Sequence, residues 1–204
     1  MTPLGTLIFS LIGTLIVAGV GALIWRATRD NSAMIQTLQS DGWVVEAESG
    51  TTQWRARRAR QGITAQIEVT ASGIHNKTVW TSVRVATDTG TDDVLAERKM
   101  PGFLAADGVV AAAVGFKSPP RWSGGTPAFA ADYNAYASSD DAAARWLPEA
   151  NQHAILEYNN NAPRKIAVRF FDGSIEGRWA QAPQDAEQLE NVVTLLEQLR
   201  RGRT

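Results

Sequence analysis

The chain of 204 residues has no cysteine and only two histidines. The lack of cysteine excludes disulfides, thiolate zinc sites, iron–sulfur clusters and a cysteine nucleophile. It leaves the redox compartment open, because a cysteine-free protein is compatible with either side of a membrane. The charges nearly cancel, with 20 basic against 21 acidic residues. The basic excess of a nucleic-acid binder is therefore absent, and we expect no nucleic-acid partner.

Short motifs for common enzyme chemistry are also missing. The sequence has no Gly-x-Ser-x-Gly elbow, P-loop or dinucleotide fingerprint. The glycine-rich stretch 123–125 lacks a following Lys-Ser/Thr, so it indicates a loop and not a phosphate cradle. The adjacent aspartates at 92–93 and 140–141 point apart, and a turn and a helix N-terminus explain them better than general acid–base chemistry. We expect no catalytic residue and no cofactor.

The histidines offer one metal-like arrangement. Glu149, His153 and Glu157 fall on one face of a predicted helix, from which a metal could take two or three ligands. No second ligand motif accompanies them, and His75 lies in a turn. A solvated helix face explains the spacing better, so we expect no metal.

What the sequence does have is a long uncharged run at its start. Leu4 to Trp25 carries no charge over about 22 residues, which as a helix spans the roughly 30 Å hydrocarbon core of a bilayer. A cleaved signal would have a basic n-region and a shorter apolar run, and a buried core helix would be shorter. We therefore predict an uncleaved transmembrane anchor over 1–29, with Trp25, Arg26 and Arg29 as interfacial residues.

The flanking charges bear on orientation. Arg26 and Arg29 favour an N-terminus outside and a domain in the cytoplasm, because basic residues near the end of a span tend to stay cytoplasmic. The predicted location is a membrane that the chain crosses in a single pass. The competing interpretation is an uncleaved export anchor with the domain in the periplasm.

Small residues recur every fourth position within this span. Such a row forms a groove that another helix backbone can approach closely, although small residues are common in membrane helices generally. We predict a membrane-protein partner or self-association at this row. The residues are Thr6, Ser10, Thr14, Ala18 and Ala22, with Gly13 and Gly21 close to the same side.

The first half of the remaining chain has the alternation of β-strands. The segments 43–48, 53–60, 63–71 and 77–87 are rich in alternating or β-branched residues and are separated by turn-forming clusters. They predict a four-stranded antiparallel meander, in which the alternation of the fourth strand indicates one buried and one wetter face. A turn at 88–93 and a buried helix at 105–114 follow.

The second half alternates strands and helices. Tyr133–Ala137 is a predicted strand, Ser139 is predicted to cap a helix over 140–147, and Pro148 to restart a helix to about residue 158. Asp172-Gly173 joins two predicted strands, 165–171 and 174–180, in the strongest hairpin signal of the chain. Pro183 is predicted to open a last helix, whose apolar stripe is Leu189, Val192, Val193, Leu196 and Leu199 and which Gly202 ends.

These elements predict an α+β protein with antiparallel sheet packed against helices. The expected organisation is a β-rich subdomain over 30–114, a Pro/Gly-rich loop over 115–127 and an α/β subdomain over 128–204. A loop of that length is a place to expect function, with Trp122 as an aromatic platform.

Four arginines in six residues form a further candidate site. Arg55, Arg57, Arg58 and Arg60 could contact anionic lipid headgroups or a partner, at about 1 kcal/mol for each arginine near an anionic membrane. Strand alternation directs Arg55 and Arg57 one way and Arg58 and Arg60 the other, which argues against a single patch. An edge strand protected from aggregation by charge is the favoured interpretation.

The stretch Phe129–Trp179 resembles uncharacterised bacterial membrane-anchored proteins with a mixed α/β domain. The resemblance implies a bacterial membrane setting, so the predicted location is the bacterial inner membrane, and it implies no particular activity. The residues that carry it are Phe129, Tyr133, Tyr136, Ala137, Asp140, Ala143, Leu147, Pro148, Phe171, Asp172 and Gly173.

Three functional hypotheses follow from the sequence. The leading one is a non-catalytic, membrane-anchored accessory or assembly component of a membrane protein complex. The second is a membrane-tethered enzyme or ligand sensor that uses the 115–127 loop. The third is a protein that binds an anionic lipid surface through the 55–60 arginines.

Overall fold

The computed structural model describes residues 32–47, 53–60, 62–72, 78–88, 90–99 and 119–202. The predicted anchor over 1–29, with its small-residue row and its interfacial residues, lies outside these ranges, as do His75 and the predicted helix at 105–114. None of the helices within the described ranges has both the length and the apolar character needed to cross a bilayer.

Within the described ranges, nine antiparallel strands form one sheet in the order β1-β2-β3-β4-β9-β8-β5-β7-β6. Their bounds are β1 Val44–Ala47, β2 Trp54–Arg60, β3 Ile63–Ser72, β4 Thr78–Ala86, β5 Val94–Arg98, β6 Arg121–Trp122, β7 Tyr133–Ala137, β8 Ala167–Phe171 and β9 Ser174–Ala180.

The first four strands form the predicted meander. Each strand pairs with the next, and the register aligns Ala56 with Ile67 and Ile67 with Val83. These three side chains are buried on the same face of the sheet, because residues that are paired directly across neighbouring strands point to the same side. The predicted alternation of the fourth strand is confirmed at Val83 and Val85, which are fully buried.

The predicted hairpin at Asp172-Gly173 is confirmed, and it joins β8 to β9. Both turn residues have positive φ, 47° at Asp172 and 68° at Gly173, as the central residues of a type I′ turn require. Strand β9 then pairs with β4, so the hairpin joins the meander to the rest of the sheet.

The end of the sheet beyond β9 and β8 contains strands that the sequence pattern did not predict. Strand β5 lies between β8 and β7, and the two-residue β6 forms the outer edge beside β7. Strand β7 confirms the predicted strand Tyr133–Ala137, whereas β5 and β6 were not predicted. Strands from the 30–114 and the 128–204 segments thus pair within one sheet.

Five helical segments accompany the sheet in the part of the chain that the structure describes: α1 over 32–40, α2 Pro127–Asp132, α3 Asp140–Trp146, α4 Glu149–Asn161 and α5 Ala186–Arg201. Ser139 caps α3 as predicted, with its hydroxyl accepting from Ala142 N at 3.1 Å. Pro148 precedes α4, and α5 begins after Asp185, whose carboxylate accepts from Gln188 N. Helix α2 was not predicted.

Helix α5 covers the centre of the sheet. Its predicted apolar stripe is buried throughout, together with Leu195. The helix can approach β9 closely because Gly177 has no side chain, and a β-carbon there would lie 3.0 Å from Val192 Cγ1. Buried residues of all five helical segments join one core cluster with the strand residues on this face. The predicted α+β class, with a large antiparallel sheet and helices, is confirmed.

Candidate interaction surface

The sheet has a face that the described helices do not cover. Along β4, Val83 and Val85 belong to the core cluster, whereas Ser82 and Arg84 alternate with them and point to the opposite side. The register places Arg84 beside Gln66 on one side and Glu176 on the other. Charged residues therefore occupy adjacent strands on this second face.

We call this surface the outer arginine face. Five arginines on four strands share it, and three glutamates are interspersed among them. Its residues are Arg55, Arg57, Arg84, Arg169 and Arg178, with Glu46, Glu68 and Glu176.

Glu176 lies at the centre of this face. Its side chain is almost fully buried, with 3% of its surface exposed, and its Oε1 accepts hydrogen bonds from Ser82 Oγ at 2.5 Å and from Arg84 Nε at 3.1 Å. Burial lowers the pKa of the Arg178 guanidinium, and the nearby Glu176 carboxylate opposes that shift. A carboxylate in such a position needs these donors, because an unpaired buried charge is strongly destabilising.

Aromatic rings support the guanidinium groups. Arg178 lies over Trp80 at 4.8 Å from the ring centroid, and Arg169 lies over Phe171 at 4.6 Å. Arg169 also makes two hydrogen bonds to the carboxylate of Asp93, at 2.6 and 2.9 Å. Stacking and bidentate pairing hold these arginines in fixed orientations, which is a property of Arg more than of Lys.

The accessible part of the face lies over β1 to β4. The side chains of Arg55, Arg57 and Arg84 are 72%, 67% and 41% exposed. Arg55 pairs with Glu68 at 2.8 Å, and Arg57 with Glu46 at 3.9 Å. These residues line a shallow depression on the sheet together with Gln66 and Ser82. The result is an accessible surface on which positive and negative groups alternate.

The four arginines of the 55–60 run do not share a surface. Arg58 points toward the helical side, where its two terminal guanidinium nitrogens donate to Glu190 at 2.8 Å and the group lies 4.4 Å from the centroid of the Trp43 ring. Trp43 Nε1 also donates to Glu190 at 2.7 Å. Arg60 is exposed at the end of β2. Arg58 thus contributes to tertiary packing, and Arg55 and Arg57 to the outer arginine face.

Trp122 is half-buried in the edge strand β6 and packs against the core cluster. Its ring lies against Gly124, where an added β-carbon would come within 2.5 Å of the indole. Thr126 N donates to Gln152 Oε1 at 2.8 Å, which ties the following residues to α4. Residues 119–127 of the predicted loop are therefore attached to the sheet and to α4.

Sequence reasoning did not identify Arg84, Arg178 or Glu176 as site residues. The signal was present in the alternation of the two strands, which places charged residues on the face opposite the apolar ones. Their neighbourhood depends on the pairing of β4 with β9, which joins residues about 92 positions apart. The local sequence pattern does not indicate that β4 pairs with β9.

The metal-like arrangement of Glu149, His153 and Glu157 lies on α4. His153 Nδ1 is 3.8 Å from Glu157 Oε2, and both of these side chains are largely exposed. Within the ranges that the structure describes, no group of three metal-ligating residues comes together.

The chain matches no protein-family model, no curated protein and no solved structure.

Proposed function

We propose that this protein is a single-pass, membrane-anchored, non-catalytic component of a membrane protein complex, and that its domain binds a partner protein through the outer arginine face. The observation that carries the proposal is the organisation of that face. One side of the sheet is packed with helices, whereas the other presents oriented arginines and glutamates to solvent over β1 to β4.

The charge pattern favours a protein over a lipid as the partner. Arg55 and Arg57 each lie near a carboxylate, Glu68 and Glu46, so the face offers both signs of charge within a few ångströms. An anionic membrane would be attracted by the arginines and repelled by the glutamates. A protein surface with complementary charges can match both, and such complementarity determines specificity and association rate. Arginine is also enriched in protein interfaces.

The membrane part of the proposal rests on the sequence. The uncharged run from Leu4 to Trp25 has the length of a transmembrane helix, and the small-residue row within it supplies a second contact surface. Arg26 and Arg29 favour a domain on the cytoplasmic side of a bacterial inner membrane. A domain tethered in this way binds its partner with a high effective concentration.

Lipid binding and enzymatic or sensor activity remain alternatives with less support. Arg58 is committed to Glu190, so the 55–60 run offers fewer arginines to a lipid surface than its sequence suggests. Trp122 packs against the core cluster and Gly124, which does not favour an aromatic platform for a ligand.

The test is affinity purification of the full-length protein in mild detergent, with identification of co-purifying membrane proteins. Replacing Ser10, Thr14 and Ala18 with Leu should abolish association through the small-residue row. The matched control replaces Ile8, Ile12 and Ile16 with Leu in the same segment and should leave association unchanged. Equal association by both variants would refute the role of the row, and the absence of any stable partner would refute the proposal.

A further inference from the structure

One row of side chains crosses the accessible part of the outer arginine face. Gln66 on β3 pairs with Arg57 on β2 at one side and with Arg84 on β4 at the other. Side chains paired directly across neighbouring strands stand next to one another on the same face. All three residues line the shallow depression, which has a volume of about 250 Å³. The Cα atoms of the two arginines lie about 10 Å apart, because neighbouring strands are separated by roughly 4.8 Å.

The N–H groups of this row are accessible and largely unused. Arg84 donates to Glu176 Oε1 through Nε at 3.1 Å, and its two terminal nitrogens make no hydrogen bond to the described residues. Arg57 has an ion pair of 3.9 Å with Glu46, which is too long for a hydrogen bond. The exposed amide of Gln66 makes no hydrogen bond within the described ranges. A ligand can reach these donors, because the side chains of Arg57 and Arg84 are 67% and 41% exposed.

The neighbouring arginine of the same strand is engaged differently. Arg55 Nε and Nη2 lie 2.9 and 2.8 Å from Glu68 Oε1, so this pair is already neutralised. Arg84, in contrast, uses only Nε to bind the nearly buried Glu176 carboxylate, and this contact fixes the orientation of the remaining guanidinium nitrogens. Donors that are held in place before binding bind a ligand at a lower entropic cost.

The charge of the surrounding strands favours an anion. The outer side of β1 to β4 and β9 has one positive charge more than it has negative charges. A single carboxylate neutralises this excess, whereas a layer of lipid headgroups would bring several anions against Glu46 and Glu68. The charged residues of these strands on this face are Arg55, Arg57, Arg84 and Arg178, with Glu46, Glu68 and Glu176.

The geometry of the donors fits a carboxylate of a protein side chain. A guanidinium group presents parallel N–H bonds that match the two oxygens of a carboxylate, and the amide of Gln66 adds a further donor. The row continues to Val44, which pairs with Arg57 and is the exposed large apolar residue of the described ranges, at 54%. The methylene groups of an acidic side chain can contact Val44, a contact that inorganic phosphate lacks.

We propose that an aspartate or glutamate side chain of the partner protein binds in the shallow depression, where its carboxylate accepts hydrogen bonds from Arg57, Gln66 and Arg84. This contact depends on the proposed function, because it requires a partner protein on the outer arginine face. Accessible ion pairs add little affinity individually, so the contact determines chiefly which partner is recognised.

The test measures the binding of a small acidic probe by the full-length protein in detergent micelles. The probe is acetyl-Ala-Ala-Glu-Ala-Ala amide, and a reference peptide has Gln in place of Glu. The readout is the NMR shift of the Gln66 side-chain NH₂ and of the Arg84 Nε–H in ¹⁵N-labelled protein. We expect saturable shifts with the acidic peptide and none with the reference peptide.

Three variants locate the binding site. Gln66→Glu places a carboxylate of the protein itself between the two arginines, so the acidic peptide should bind at least about tenfold more weakly. The matched control is Thr64→Glu, which adds the same charge to the same strand beside Ala59 and should change binding by less than about twofold. Arg57→Met removes one donor and should weaken binding about threefold.

Several results would overturn the inference. No saturable shift with the acidic peptide, or equal shifts with the reference peptide, would show that the depression does not recognise a carboxylate. Equal weakening by Gln66→Glu and Thr64→Glu would show that the charge of the whole face, and not this row, attracts the peptide. Tighter binding of inorganic phosphate at the same residues would assign the site to a phosphorylated ligand.

The results also separate this contact from the proposed function. A partner that crosslinks to position 57, although the acidic peptide does not bind, would refute the carboxylate contact and leave the proposed function standing. Peptide binding by a protein that has no stable partner would support the carboxylate site and refute the proposed function. If Gln66→Glu does not fold, Arg57→Met changes an exposed residue and still decides, because unchanged affinity in that variant would refute the contact.

Discussion

The two faces of the sheet carry different kinds of side chain, and neighbouring residues of one strand alternate between the two faces. In β4, Val83 and Val85 are fully buried beneath the helices, whereas Ser82 and Arg84 take part in a network of charges on the other side. An antiparallel sheet needs only one apolar face to form a core. The opposite face is therefore not needed for that core, and its accessible part over β1 to β4 carries Arg55, Arg57 and Arg84.

The same difference appears in the energetics that we expect. Residues on the helical face lose hydrophobic burial and leave a cavity when they are truncated. Exposed ion pairs contribute about 0–1 kcal/mol each, so many residues of the outer arginine face can change without unfolding the protein. Substitutions on one face should chiefly affect stability, and those on the exposed part of the other should chiefly affect binding.

The largest contrast is expected at two adjacent phenylalanines. Phe170 is fully buried and packs against Trp146 at 5.2 Å between ring centroids, whereas Phe171 lies half-buried on the outer face beneath Arg169. Phe170→Ala should lower the free energy of unfolding by about 3–5 kcal/mol. Phe171→Ala should lower it by about 1 kcal/mol, through lost cation–π contact. Denaturant unfolding of the full chain in detergent measures both, and equal losses would contradict the distinction between the faces.

A smaller contrast is expected within the arginine run. Arg58→Met removes a bidentate pair with Glu190 and the contact with Trp43, so we expect a loss of about 1–3 kcal/mol. Arg57→Met removes an exposed pair at 3.9 Å and should change stability by less than about 0.5 kcal/mol. Thermal unfolding of the two variants tests this directly. A greater loss from Arg57→Met would reverse the assignment of the two residues.

The turn between β8 and β9 should show a smaller effect than the core. Gly173→Ala places a β-carbon at a φ of 68°, which costs about 1 kcal/mol relative to glycine. Asp172→Asn is the control, because asparagine tolerates the left-handed conformation, and it should leave stability unchanged. A stability loss at Asp172 as large as that at Gly173 would indicate that side-chain contacts dominate the turn.

The smallest effect is expected on the helical side at alkaline pH. Burial raises the pKa of Tyr158 to about 12, above its ordinary value of 10.0, so the folded protein retains the phenolic proton longer than the unfolded chain. This contribution to stability is fully present below pH 10 and is lost as pH rises to about 12. Tyr158→Phe should reduce the slope of stability against pH in that window. An unchanged slope in pH-dependent unfolding would contradict the burial of the hydroxyl.

Much of the fold follows from local signals in the sequence. The alternation of β2 to β4, the Asp172-Gly173 turn and the apolar stripe of α5 each reflect a short-range requirement of the backbone or of burial. Strand β5 gave no such signal, because its five residues include a single β-branched side chain and it is buried by strands distant in sequence. Helix α2 is only six residues long, although Thr126 and Pro127 are a cap and a first residue of the expected types.

The candidate surface was predictable in part. Strand alternation separated Arg55 and Arg57 from Arg58, and the structure places Arg58 toward Glu190. The partners of Arg84 could not be predicted, because Glu176 reaches it only through the pairing of β4 with β9. Partner proteins, the anchor and its orientation remain predictions that rest on the sequence.

Photo-crosslinking of the full-length protein in membranes tests most directly whether the outer arginine face binds the partner. p-Benzoylphenylalanine replaces Arg57 on that face in one variant and Ala144, an exposed residue of α3 on the helical side, in another. The account predicts an adduct with the co-purifying membrane protein from position 57 and none from position 144. An adduct from position 144 alone, or equal adducts from both positions, would contradict it.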